Sequence, residues 1–166
     1  TPSPNVRLID WLPLALLALT LIALFHRLLA GEVLFWGLPS LQFVPWRDFA
    51  LEAVQAGRLP LWNPYNGGGA PLLANYQSAL LYPPNWPALL LPIPAMVGLS
   101  GAFHLAWAGL GMWRFTGRLG ASALGRGLAG LAFPLSGTLV ARLGTPPMID
   151  AAAWLPWIMW GADRLV

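Results

Sequence analysis

Cysteine and lysine are both absent from this 166-residue chain, and charge of either sign is scarce. Without cysteine there is no disulfide, no thiolate metal site and no sulfur nucleophile. Every basic residue is an arginine, nine in all against six acids, so the pI near 10.2 rests on a net charge of only +3. The arginines are spread along the chain with no dense cluster interleaved with aromatics, which argues against a nucleic-acid surface. Charged residues make up 9% of the chain, where a soluble domain carries about a quarter. Hydrophobic residues make up 57%, and the mean hydropathy is +0.63. An all-α integral membrane protein is expected.

Four apolar stretches are candidates for spans, at about 10–29, 94–115, 122–140 and 148–165. The first holds the uncharged core WLPLALLALTLIALF and with its flanks approaches the ~20 residues that a bilayer requires. Arg27 then snorkels to the surface. The second opens on Pro94, suited to a first helical turn, and closes on Arg114. Ser122 is a natural N-cap for the third, and Pro134 should kink it. The fourth carries Trp154, Trp157 and Trp160 and is interrupted by Pro156.

Orientation follows from the arginines. Arg114, Arg118 and Arg126 surround the short connection between the second and third spans, with no acid among them, which places that connection in the cytoplasm. Arg7 and Arg164 agree with that side, while Arg142 on the other is balanced by Asp150. The N-terminus is then cytoplasmic and the loop 31–93 faces outward. A signal peptide is the competing reading of the N-terminus, against which His26 and Arg27 argue.

The outer loop is the polar, aromatic part of the chain. Between Trp46 and Ala56 the apolar residues Trp46, Phe49, Ala50 and Ala53 recur at helical spacing while Asp48, Glu52 and Gln55 line the other face. This predicts a short amphipathic helix, capped at its C-terminus by Gly57. Asp48 and Glu52, four residues apart, stack on one side of it. The run Gly67-Gly68-Gly69 lacks the Lys and Ser or Thr of a phosphate loop and reads as flexible backbone, a hinge. A second surface helix is expected over 72–81. With little core of its own, the loop should depend on lipid or partners for order.

Other residues have a bland reading and a sharper one. His26 and His104 could ligate a metal or a pigment, or hydrogen-bond between helices, and two histidines on different spans make a shared metal site a poor fit. Most of the ten tryptophans fit interfacial belts and packing, with Trp62 and Trp86 open to sugar stacking. Gly98, Ala102 and Ala106 recur every fourth residue and permit a close helix neighbour, in this chain or another. A channel or carrier finds no charged residue at mid-depth in the spans.

The order RDFALEAVQAGRLPLWNPYNGGGAPLLANYQSALLYPPNW, HLAWAGLGMWRFTGRLGAS, GLAFPLSGTLVARLG and AAWLPWIMWGADRL resembles the N-terminal region of the bacterial YfhO-like membrane protein family. The resemblance runs from about Arg47 to Leu165. It implies a glycosyltransferase of the GT-C fold in the bacterial plasma membrane, taking a sugar from a polyprenyl-phosphate lipid. In such enzymes an acid in the first outer loop acts as base or as a metal or acceptor contact, and Asp48 matches it. Glu52 joins Asp48 by helical spacing alone. Arg47 and Arg58 are then candidates for the departing lipid phosphate, which a guanidinium fits well. A divalent metal is an open cofactor. Members of the family continue through many more spans, so the chain is expected to be an N-terminal piece or a shortened relative, inactive alone. The alternative is a non-catalytic transmembrane subunit of a larger assembly, energy-transducing or pigment-bearing, with other transmembrane chains as partners.

Overall fold

An apolar run broken only by Thr20 as far as His26 dictates the first helix, α1 (Leu12–Leu29), and Thr20 keeps its hydroxyl satisfied by donating to the Leu16 carbonyl at 2.8 Å. The computed structural model describes residues 11–33, 37–86 and 90–165, so Arg7, Asp10 and Trp36 lie outside the described residues. The chain is mostly helical and divides into two units. One comprises the described residues up to His26, Ala102–Arg142 and the described residues from Met148. The other comprises Arg27–Gly101 and Leu143–Pro147.

The second unit is built around α2 (Val44–Gln55), which follows a tight π-helical turn at Pro39–Phe43. As the periodicity predicts, Trp46, Ala50 and Ala53 are buried while Asp48, Glu52 and Gln55 are exposed. The helix ends where Gly57 takes φ +70°: its N–H bonds the Val54 carbonyl and that of Arg58 bonds Ala53, which satisfies the last turn. Trp46 and Ala50 pack with Leu72, and Val44 with Ile93, Met96 and Val97.

The loop after α2 departs from expectation. Trp62–Asn63 (β1) pairs antiparallel with Ala70–Pro71 (β2), and Leu72 and Leu73 extend the pairing by donating to Leu61 and Pro60. The three glycines are the turn of this hairpin, all at positive φ, rather than a hinge. A Cβ on Gly69 would stand 2.6 Å from Nε1 of Trp62, whose indole lies against the bare glycine. Over 72–81 the expected surface helix shrinks to a single 3₁₀ turn at Tyr76–Ser78, because the Asn75 side chain accepts from the Gln77 N–H and Ala79 turns left-handed at φ 50°. Leu72, Ser78 and Asn85 are buried, so the loop has its own core.

Helix α3 (Ile93–Arg118) is 26 residues long, or about 39 Å at 1.5 Å per residue. Ser122 caps α4 (Ala123–Ala132) as predicted, accepting from the Gly125 N–H at 3.2 Å. Pro134 does more than kink the third stretch: a four-residue break follows α4, and Ser136 caps a new helix, α5 (Gly137–Ala141). The fourth stretch is also two helices, α6 (Pro146–Ala152) and α7 (Leu155–Ala162), with Pro156 in the first turn of the latter. Ile93–Arg118 and the run Ala123–Ala141 are long and apolar enough to cross a membrane by length and composition, while Leu12–Leu28 is apolar but shorter.

The first unit packs by close approach. Gly109 of α3 lies against Leu17 of α1 and against Gly130 and Pro134 after it, and Gly111 lies against the Trp157 indole. Trp157 stacks on Trp107 with ring centroids 4.2 Å apart and donates its Nε1–H to the Trp107 carbonyl at 3.0 Å. Such contacts need glycine at the crossing.

Candidate functional site

One turn of α2 separates the predicted residues by direction. Arg47 and Asp48 are consecutive and therefore point about 100° apart on a helix. Arg47 takes the buried side, 3% exposed, beside a cavity of about 40 Å³ lined by Ala79, Leu80, Asn85, Trp86 and Met96. Asp48 and Glu52 share the exposed side. The carboxylates therefore come together as the spacing predicts, and Arg47 does not join them. Its guanidinium is enclosed in the unit's interior rather than offered to a phosphate beside Asp48. Arg58 lies just past the helix end and is exposed.

The proton affinity of Asp48 is raised above its ordinary value of 3.8, first by partial desolvation and then by the negative charge of Glu52 one turn on. Because Asp48 remains exposed, solvent screens the effect on stability. The effect on proton transfer is retained, since a base with raised affinity accepts a proton more readily.

A cleft of about 280 Å³ opens against the same helix, close to the ~300 Å³ lower end of small-molecule sites. Leu41, Pro45, Trp46 and Phe49 form one wall, and Asn63, Tyr65 and Asn66 of the hairpin form the other. Phe49 meets Tyr65 edge-to-face, centroids 5.8 Å apart, and the side-chain Oδ1 of Asn63 accepts from the Tyr65 N–H at 3.0 Å, fixing the turn. Asp48 is three residues beyond Pro45 and so its neighbour on the helix surface. Trp62 and Trp86, the tryptophans open to sugar stacking, are half exposed but outside this cleft; Trp86 donates to the Leu80 carbonyl. Aromatic faces beside amides line the cleft, and with a carboxylate on the adjoining helix surface they are a mixture that suits a polyhydroxylated ring.

The histidines have different fates. His26 is exposed, its Nδ1 within 2.8 Å of the Ala23 carbonyl. His104 is fully buried near the middle of α3, its Nδ1 3.2 Å from Oδ1 of Asp150, itself 5% exposed. The histidine bonded between helices is therefore realised. Asp150 contacts His104, while Arg142 is exposed beside the Met148 sulfur. A buried carboxyl thus meets a buried imidazole within this apolar unit. The signal was available: a lone acid and a lone histidine in apolar segments tend to pair. Among the described residues no three His, Asp or Glu side chains gather as a metal site.

Compared with protein-family models, with curated proteins and with solved structures, the chain finds no match in any of the three.

Proposed function

We propose that the chain is the N-terminal part of a membrane glycosyltransferase of the GT-C type, similar to the YfhO-like proteins, which takes a sugar from a polyprenyl phosphate at the outer face of a bacterial plasma membrane. In this reading α1, together with α6 and α7, joins the two long apolar segments in a multi-pass arrangement with a cytoplasmic N-terminus. The observation that carries it is the exposed Asp48, with raised proton affinity, on the helix that forms one wall of an aromatic and amide-lined cleft.

The chemistry is a displacement at the anomeric carbon. The acceptor hydroxyl oxygen attacks that carbon, its proton passes to the Asp48 carboxylate, and the bond to the phosphate oxygen breaks with its electron pair leaving on the lipid phosphate. Glu52 contributes by raising the basicity of Asp48. Arg58, exposed after α2, is the guanidinium available for the leaving phosphate, and Arg47 holds the helix from inside. The rival reading, a non-catalytic subunit docking through Gly-lined spans, is weakened because Gly98 is covered by Leu28, and Gly109 by Leu17 and Gly130, of the same chain.

The test is transfer of a labelled hexose from a panel of synthetic polyprenyl-phosphate donors by the protein expressed from its native gene and reconstituted in membranes. Asp48→Asn should abolish transfer and Glu52→Gln should reduce it. Transfer at the normal rate by Asp48→Asn would remove the proposed base. A wild-type chain that transfers nothing and purifies in fixed stoichiometry with other membrane chains would favour the subunit.

A further inference from the structure

Four of the nine arginines meet at one end of the first unit, and none of them belongs to the proposed transferase site. Arg126 lays its guanidinium over Trp113, 3.7 Å from the ring centroid. Arg114 lies over Trp157 at 5.4 Å and Arg164 over Trp160 at 4.8 Å. Arg118 is held by the Asp163 carboxylate at 2.9 Å. Trp157 meets Trp160 edge-to-face, and Trp11 at the start of α1 stacks on Trp113, so the tryptophans join the arginines into one patch.

Arg126 is half-buried and also donates its Nε–H to the Trp113 carbonyl at 3.4 Å, so its stacking is partly structural, but internal stability does not account for the other three arginines. The exposed cation–π contacts of Arg114 and Arg164 contribute little, and Asp163 is the one acid among the described residues of the patch, so like charges repel across it. Stacking covers the flat face of a guanidinium and leaves recognition to its edge, where the N–H groups match a pair of phosphate oxygens. Tryptophan favours the depth of lipid headgroups. Leu119, Leu124, Leu128 and Ile158 on the same helices and connection are more than half exposed, a rim suited to acyl chains and not to a polar polyanion.

The geometry points to a binding surface for anionic phospholipid, in which the stacked Arg114, Arg126 and Arg164 hold the phosphodiester and the surrounding apolar side chains face the acyl tails. A zwitterionic lipid offers the same phosphate, but its ammonium group meets an already cationic patch. The surface therefore selects for net negative charge on the headgroup.

The experiment uses the full chain in phosphatidylcholine vesicles containing a minor fraction of either brominated phosphatidylglycerol or brominated phosphatidylcholine, and reads quenching of tryptophan fluorescence. Brominated phosphatidylglycerol should quench more strongly, with a preference of about fivefold per engaged arginine at low salt. The triple variant Arg114→Gln/Arg126→Gln/Arg164→Gln should bring the ratio to near one, and high salt should do the same to the wild type. Equal quenching by the two lipids in the wild-type chain overturns the proposal, as does a preference that persists in a triple variant of unchanged circular dichroism. Should that variant fail to fold, a wild-type preference indifferent to salt overturns it. Displacement of the brominated phosphatidylglycerol by a single-stranded oligonucleotide would reassign the surface to polyanions and also overturns it.

Discussion

Replacing Gly109 by alanine sets two effects of known sign against each other. In the interior of α3, alanine is favoured over glycine by about 0.8–1.0 kcal/mol in helix propensity. The added methyl, however, would stand 2.7 Å from the backbone oxygen of Gly130 and 3.2 Å from Cγ of Pro134, and would press on the terminal methyl of Leu17. Leu17 can rotate, although at 4% exposure it has little room. The Gly130 carbonyl moves only if α4 moves. Overpacking of this kind costs about 1–3 kcal/mol, and a backbone obstacle puts the site in the upper part of that range. The net expectation for Gly109→Ala is a loss of about 1–2 kcal/mol after the propensity gain. For a chain of this length the midpoint should fall by roughly 2–8 °C. Thermal unfolding followed by far-UV circular dichroism in one detergent is the assay. Gly161→Ala is the control: nothing lies within 4 Å of its Cβ position in α7, so only the propensity term operates and the midpoint should hold or rise. If Gly109→Ala melts at or above the wild type, the helices do not cross at Gly109 and the packing argument is wrong.

Three further outcomes can be checked. His104→Leu leaves the Asp150 carboxyl buried without its imidazole and should destabilise by about 3–5 kcal/mol, much of it recovered in His104→Leu/Asp150→Leu; additive losses in that double-mutant cycle would deny the pairing. Gly69→Ala places a methyl against the Trp62 indole and strains φ +114°, so it should cost about 1–3 kcal/mol and shift the Trp62 emission, and Trp62→Ala in the same chain should relieve only the steric part. Because the folded state raises the proton affinity of Asp48, the native chain retains a proton that the unfolded chain has lost just above pH 3.8. Its contribution to stability therefore falls as pH rises through that window, and Asp48→Asn should flatten the slope there and stabilise slightly at neutral pH. A slope unchanged in the variant would show that the carboxyl is not perturbed.

What the sequence determined by itself is whatever depends on residues within a turn or two of each other. The burial of Trp46, Ala50 and Ala53 beneath an exposed Asp48 and Glu52 follows from 3.6-residue periodicity, and the ends of helices at Gly57 and Ser122 follow from local capping chemistry. The apolar character of α1, α3 and α4 required only composition. Tertiary structure decided everything that needs a distant partner. Arg47 is one residue from Asp48 yet lies beside Asn85 and Met96, His104 finds Asp150 at 46 residues' remove, and the glycine run becomes an ordered turn because Trp62 covers Gly69. Even the division of the last apolar stretch into α6 and α7 goes beyond hydropathy, which cannot distinguish a continuous helix from two that turn at Trp154 and restart at Leu155. Periodicity encodes the face of a helix, but which side chain fills the space opposite that face is set by packing among segments far apart in the chain.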